Sequence, residues 1–527
     1  MVTFVMPPNI TARLERSRGI PVVRGLLFVL CAALSACIGE RGPFTNRMAQ
    51  SATTYLARAA RQPVRWQPWG RDAFTLAAKL DRPILLYVGG EACRWCAETD
   101  RAIYTDPEIG ALINSLFVPV RVDRDERPDV AQRYQAAVER IAGIRGWPLT
   151  VFLTADGSAF FGGTYFPADD PITGRGLKQL LPEVAKSYRE QRSVVVQQAA
   201  LVRQLVLTGN RAFRGVLRPT LVQAGMAAAM QDLDDAVRSQ AVAGSVVYAE
   251  AAALLVRDTS TRASALRALD VMLDTIAAAA GEDPPPLVRA ALVAAVSNAW
   301  AVTGEGRYRD AGRALLRNLL EDSVASGFVD QEAFMIERVL VAAATLGDEA
   351  AARRAQAALD VMLQRAYARG WGVRHTLAAT ASSGKGPEPG PGAAAGLLQD
   401  HVDMALACLA AHHLSGEPRY RDVAVDLVAV MDRAFADTGG GYFDVPVAAS
   451  ASLAALADRT KHVLDDVLPG GNANAALLLA RLARVTGDPS YRRRAQSTLE
   501  AFAGAIPGGG AHAATYLAAA KETLAQP

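Results

Sequence analysis

At 527 residues, with 51% apolar and 21% charged side chains, the chain is long enough for two or three globular domains and too apolar to be disordered. A formal net charge of +3 is small for that length and gives no electrostatic reason to expect nucleic acid as a partner.

The leader differs from the rest. Arg13, Arg16, Arg18 and Arg24 precede "LLFVLCAALSA", an apolar run too short to span a bilayer, so residues 1–36 read as a secretory signal. The run ends in Leu-Ser-Ala before Cys37 and resembles the lipobox of bacterial lipoproteins, whose cysteine becomes the lipidated first residue of the mature protein. An uncleaved anchor with a chance cysteine is the alternative. The lipoprotein reading implies a lipid-anchored protein of the bacterial cell envelope, facing the periplasm or the exterior. Removing residues 1–36 takes four Arg and one Glu, which leaves acidic and basic side chains equal in number. Cys31 departs with them, and Cys93, Cys96 and Cys408 remain beside a lipidated Cys37. Export is compatible with a disulfide.

Residues 37–61 are polar and alanine-rich and read as a tether. Residues 62–172 alternate between helical and extended periods. "WGRDAFTLAAKLD" predicts a helix, "RPILLYVG" a buried strand, and "CRWCAETDRAIYTDPEIGALIN" a helix broken near Asp106-Pro107. "FVPVRVD" predicts a second strand, "PDVAQRYQAAVERIA" a helix opened by Pro128, "LTVFL" a third strand, and "GSAFFGGTYF" an edge strand. Strands alternating with helices argue for a layered α/β domain.

Residues 173–527 are alanine- and leucine-rich, with hardly a strand signal. Four junctions look alike: "TGEGRYRDAGRALL", "LGDEAAARRAQAAL", "SGEPRYRDVAVDLV" and "TGDPSYRRRAQSTL". Each puts glycine where a helix stops and an acidic residue or proline where the next begins, the pattern of repeated helical hairpins. A closed ring and an open solenoid both fit it. "SSGKGPEPGPG", residues 382–392, interrupts the pattern as a loop.

Within "GGEACRWCAETD", Cys93 and Cys96 follow a buried strand and open a helix. Unpaired N–H groups there, the helix dipole and Arg94 all favour a thiolate at Cys93, which makes it the expected nucleophile and Cys96 the resolving thiol. A zinc site needs two more ligands, yet no second C-x-x-C exists and all six histidines lie beyond residue 370. A redox pair is therefore preferred over a metal site or an inert bridge. "IRGWPLTVFL" adds a second signal, because Trp147-Pro148 before a buried strand resembles the cis-proline loop that faces the C-x-x-C of thioredoxins. Pro148 would place an extended partner segment beside the disulfide, with Arg94, Trp95 and Trp147 as neighbours.

The stretch from "RPILLYVGGEACRWCAETD" through Val122-Asp123-Arg124-Asp125-Glu126-Arg127-Pro128-Asp129 to Gly162–Pro167 ("GGTYFP") resembles the thioredoxin-like domain of the spermatogenesis-associated protein 20 family. The resemblance implies an α/β thioredoxin-like domain followed by an all-α helical-hairpin toroid similar to six-hairpin glycosidases and N-acylglucosamine 2-epimerases. It is close over residues 64–170 and loose over 395–505. Departures stand beside it. Arg94 replaces the family's histidine and cannot shuttle a proton near neutral pH. Tyr87 occupies the position at which thioredoxins hold a buried carboxylate. Asp123 to Glu126 read as a solvated charged face.

For the toroid, the family motifs LxDYA, GGxFD and RxK…DxxxPSGN resemble segments carrying Asp400, His401 and Asp403, then Tyr442 and Asp444, then Arg459, Lys461, Asp465, Asp466 and Asn472. His401 stands where the family has tyrosine and Gly470 where it has serine. His401 reads as a helix-face contact, and the adjacent Asp465 and Asp466 as a poor catalytic pair. A carbohydrate ligand is the chemistry these residues would suit. Cys408 lies on an apolar helix pattern and reads as core. The sequence thus predicts a protein that exchanges disulfides with a protein thiol or disulfide partner, anchored by lipid, with no organic cofactor and no metal. Arg94 would bias the pair toward oxidising its partners. A carbohydrate-active enzyme and a non-catalytic scaffold are the alternatives.

Overall fold

The computed structural model describes residues 44–51, 53–170, 172–173, 175–209, 213–279, 283–317, 319–320, 327–377, 396–447 and 458–525. The leader with Cys31 and Cys37 and the loop 382–392 lie outside the described residues. The chain divides into two compact units, Met1–Asn46 and Arg47–Pro527. The first contributes only residues 44–46 to the description, without helix or strand. The second contains an α/β sandwich and a helical ring.

The sandwich is built on a five-stranded sheet of order β1-β3-β2-β4-β5, from β1 (Gln67–Pro68), β2 (Ile84–Gly89), β3 (Val118–Asp123), β4 (Leu149–Leu153) and β5 (Ala159–Gly163). β1, β3 and β2 run parallel, whereas β4 and β5 are antiparallel to their neighbours. β2, β3 and β4 are buried along their whole length, as strands covered on both faces are; β2 is apolar, whereas β3 takes Arg121 and Asp123 into the interior with it. After α1 (Thr54–Arg58) and α2 (Arg71–Leu80), α3 (Arg94–Ala102) and α4 (Pro107–Leu116) join β2 to β3. Asp106 caps α4 by accepting the N–H groups of Glu108 and Ile109, and Pro107 fills its first position, so the predicted break falls there. α5 (Pro128–Ala142) crosses from β3 to the loop before β4.

Two expected boundaries are corrected. Residues 47–61 are no tether: Met48, Tyr55, Leu56 and Ala59 pack into the same core as Trp66, Tyr87, Phe117 and Phe152. Their burial draws the segment onto the sandwich. Residue 173 does not begin the ring either. α6 (Leu177–Glu190) sets Leu177, Leu181, Val184 and Ala185 into the sandwich core, and α7 (Arg192–Gly209) lies against β5 and α5.

The ring starts at α8 (Pro219–Arg238) and continues through α9 (Val246–Leu255), α10 (Arg262–Ala278), α11 (Pro286–Thr303), α12 (Gly306–Leu316), α13 (Val329–Leu346), α14 (Glu349–Ala366), α15 (Leu398–Ser415), α16 (Pro418–Ala434), α17 (Gly471–Thr486), α18 (Pro489–Phe502) and α19 (Ala514–Leu524). α9, α11, α13, α15, α17 and α19 pack in succession, and α19 returns to α9, so these six inner helices close a circle. The even-numbered helices α8 to α18 form an outer layer, which makes the unit an α/α toroid of six hairpins. The four similar junctions are its inner-to-outer turns. Gly304, Gly347, Gly416 and Gly487 end α11, α13, α15 and α17 at φ 70°, 68°, 73° and 75°, the left-handed conformation that glycine adopts without penalty. Short β6 (Tyr367–Ala368) and β7 (Gly372–Val373) precede α15. One described helix, Pro286–Thr303, is long and apolar enough to cross a membrane; here it is α11, an inner helix with neighbours on both sides.

Candidate functional site

Cys93 is the N-cap of α3. Its Sγ accepts the N–H of Cys96 at 3.1 Å and is bonded to the Cys96 Sγ at 1.99 Å. The two sulfurs are unequally placed: Cys93 is 9% exposed, whereas Cys96 is wholly buried. Arg94 and Trp95 next to Cys93 face solvent, and Trp95 tilts against the half-exposed Tyr165 of the GGTYFP segment at 5.9 Å. The Trp147-Pro148 peptide is cis, and the loop before it is held by Gln135, whose Oε1 accepts the Gly146 N–H at 3.1 Å.

Behind the pair lies an aromatic box around a cation. Arg121 on β3 is buried, ion-paired in bidentate fashion with Asp100 of α3 at 2.6 Å, and sits over the rings of Tyr55 and Tyr87 at 4.5 and 5.0 Å. Tyr87 donates to the carbonyl of Cys96 at 3.4 Å. Burial pushes the Tyr87 phenol well above its ordinary range, so it stays protonated.

The stretch Asp123–Asp129 is not a solvated face. Asp123, Arg124 and Asp129 are buried, because the charges satisfy one another and close the gap to the toroid: Arg124 pairs with Asp125 at 3.0 Å and Arg127 with Asp129 at 2.7 Å. Arg124 also lies over the Trp147 ring at 5.4 Å and donates its backbone N–H to the Gly89 carbonyl, tying this stretch to both redox loops.

Between that stretch and the N-terminal ends of the inner helices is a recess lined among others by Arg124, Trp147, Asp330, Gln399, Asp444 and His462. Beneath it, His375 Nε2 lies 2.9 Å from the carbonyl oxygen of Asp125, and Nδ1 lies 2.9 Å from Asp400 Oδ1. A carbonyl only accepts, so Nε2 carries hydrogen, and a proton on Nδ1 as well makes the ring an imidazolium. Burial opposes that charge, but Asp400 and Asp330 outweigh it and push His375 up to about 10. Burial, with Asp400 nearby, pushes Asp330 up to about 7 despite His375. Ligand atoms of Asp330, His375 and Asp400 lie within 4.8 Å of one another, a donor set of the kind that holds a divalent cation. Here both ring nitrogens already have protein partners, and the two carboxylates sit in the first turns of α13 and α15, where the helix dipoles favour negative charge.

Of the ten toroid residues singled out from sequence, Asp444 and Asp466 line this recess. Asp444 accepts from His462 Nδ1 at 2.6 Å and from the His462 N–H at 3.0 Å. Asp400 lies behind His375. The others build structure and are withdrawn as pocket candidates. His401 is fully buried, donating from Nδ1 to the Leu397 carbonyl and accepting the Val373 N–H. Asp465 accepts the N–H groups of Gly470 and Thr515, and burial pushes it up to about 7. Asn472 clamps the backbone of Tyr442 and His462. Tyr442 bonds Asp432, Arg459 donates to the carbonyls of Val445 and Ala434, and Lys461 pairs with Asp437. Cys408 is buried in α15. His375, His462, Asp330 and Gln399 are the lining and supporting residues that the sequence reading missed.

These elements define a thioredoxin-like module carrying a C-x-x-C, joined to an α/α toroid. Residues 45–206 match the family Thioredox_DsbH, described as a protein of unknown function (DUF255), so the matched region extends beyond 64–170 at both ends. The chain is 37% identical over 172 residues to spermatogenesis-associated protein 20 of Rattus norvegicus, which covers 32% of this chain and 22% of that protein. It is 36% identical over 163 residues to the uncharacterized protein B0495.5 of Caenorhabditis elegans, covering 31% and 22%. The chain thus matches about a fifth of the length of these curated relatives. Among solved structures it is similar to an unsaturated glucuronyl hydrolase specific for heparin, with a TM-score of 0.42 and 14% identity over 57% of this chain and 96% of that one.

Proposed function

We propose that the protein is a thiol–disulfide oxidoreductase, exported and held at the bacterial cell envelope through a lipidated Cys37, whose toroid holds a partner or ligand at the mouth beneath the redox loop. The observation that carries the redox reading is the asymmetry of the pair: Cys93 at the rim of α3, its sulfur at the helix N-terminus, and Cys96 buried behind it. A thiolate at Cys93 is favoured by that position and is the atom a partner disulfide can reach. It attacks the partner, and Cys96 resolves the mixed disulfide. The exported, anchored location is supported by the sequence alone, through the Leu-Ser-Ala-Cys37 pattern.

Equilibration of the purified protein with glutathione tests the redox reading. A potential of roughly −120 to −270 mV, with mixed disulfides trapped by Cys96→Ser, is expected. A potential below about −300 mV with nothing trapped would mark a structural bridge. The recess at the toroid mouth, with Gln399, Asp444 and His462 in its lining, favours a second reading, a carbohydrate-active enzyme; sugar turnover that survives loss of both cysteines would establish it.

A further inference from the structure

We propose that Asp123 is the proton acceptor for Cys96, the thiol that closes the disulfide; the inference rests on the thiol–disulfide exchange reading. A thiol as buried as Cys96 is a poor nucleophile until it loses its proton, and burial makes the anion costly. The β2 position beneath the pair holds Tyr87, a phenol that stays protonated, so β2 supplies no acceptor there.

The neighbouring strand does. Gly89 and Asp123 are register partners in the parallel β2–β3 pair, so their side-chain directions coincide. The direction is fixed by what Gly89 leaves empty: a Cβ there would lie 2.1 Å from the Tyr55 hydroxyl and 3.1 Å from the Cys96 Sγ. The Asp123 carboxylate, one strand spacing of about 4.8 Å to the side, therefore enters the same buried layer as that sulfur and that hydroxyl. Asp123 is 3% exposed, and its Oδ1 accepts the Asp125 N–H at 2.9 Å.

The Thr53 hydroxyl of the N-terminal segment bonds Asp123, and Arg124, Asp125 and Glu126 of the loop after β3 are the charged groups that act on it. Asp123 also acts on Tyr55, which is in turn surrounded by Tyr87 of β2, Asp100 of α3 and Arg121 of β3. Burial, then the Asp125 charge, pushes the Asp123 carboxyl up to about 6, against the hydrogen bonds that favour its ionised form. It is thus ionised near neutrality and basic enough to take a proton.

The step balances. With Cys93 joined to a partner sulfur, Cys96 passes its proton to Asp123, and the thiolate attacks the Cys93 Sγ. The Cys93–Cys96 bond forms, the Cys93–partner bond breaks, and the partner leaves as a thiolate that takes up a proton. The cysteine pair is oxidised by two electrons and the partner reduced.

Reduced full-length protein, mixed with excess oxidised glutathione and acid-quenched for mass analysis, separates formation of the Cys93 mixed disulfide from closure by Cys96. Asp123→Asn is expected to leave the first rate unchanged and to slow closure by about tenfold to a hundredfold at pH 7, with Asp123→Glu restoring part of it. Closure in the wild type should rise across pH 5 to 7, and this rise should vanish in Asp123→Asn. Equal closure rates and pH profiles for folded Asp123→Asn and wild type would overturn the assignment. So would a wild-type profile with no inflection near pH 6, a measurement that stands even where the variant fails to fold. If the wild type forms no mixed disulfide at any pH, the exchange reading fails first.

Discussion

The Nε2 of His375, in the helical ring, lies 2.9 Å from the carbonyl oxygen of Asp125, in the loop that leaves β3. With Nδ1 on Asp400, the ring is a charged strut between the toroid and the stretch that backs the redox loop. His375 has an ordinary value of 6.5 and is raised to about 10 in the fold, so the folded protein holds this proton more tightly than the unfolded chain. Its stabilising contribution is full below pH 6.5 and is lost as pH rises through about 10. Thermal unfolding from pH 6 to 10 should show a decline in the wild type that is flatter in His375→Gln, and at pH 7 the variant should be less stable by about 2 kcal/mol. Parallel pH profiles would mean that the ring carries no extra proton.

Arg121 and Asp100 form an ion pair directly behind the redox loop. Breaking it by Arg121→Met leaves Asp100 facing aromatic rings without its cation, and a loss of about 3 kcal/mol is expected in urea unfolding. Asp100→Asn in the same chain should recover part of that loss, because the uncompensated charge is then gone. Additive losses would mean that the two side chains act independently.

The parts of this architecture that were legible in the sequence are those set by neighbours in the chain. β2 and β4 announce themselves as apolar runs beside turn residues, and the inner-to-outer turns as glycine followed by an acidic cap. Contacts across long separations leave no periodicity to read. His375 gave no signal because its partners stand 25 and 250 positions away. Asp123 to Glu126 looked solvated because a run of charges reads the same whether it meets water or its own counter-ions. Asp465 and Asn472, quoted for their chemistry, are fully buried and bond backbone groups, a role that identity alone does not distinguish from catalysis.

The N-terminal segment offers a direct check on a misreading of this kind. Met48, Tyr55 and Leu56 fall in short helical turns with no sustained period, yet all three are buried in the sandwich core. A chain beginning at Gln62 should therefore unfold at lower denaturant than one beginning at Thr45, by about 4 kcal/mol or more, given about 1.5–3 kcal/mol for each large apolar side chain buried. Equal midpoints would show that residues 47–61 dock without stabilising the fold.

Gly89 carries the sharpest steric expectation. The Cβ of Gly89→Ala would fall 2.1 Å from the Tyr55 hydroxyl, a distance no non-bonded carbon and oxygen tolerate, and 3.1 Å from both the Tyr55 Cζ and the Cys96 Sγ. The variant should lose about 1–3 kcal/mol, the usual cost of overpacking a filled core. Tyr55→Phe removes the atom at 2.1 Å and leaves the ring Cζ and the Cys96 Sγ, each at 3.1 Å, which a small shift can relieve. The double variant should therefore recover most of the lost stability, while Tyr55→Phe alone stays close to the wild type. Unfolding curves for the four proteins close the cycle. A double variant as unstable as Gly89→Ala would place the clash on the two contacts that remain, the Cys96 Sγ and the ring of residue 55, and not on the hydroxyl.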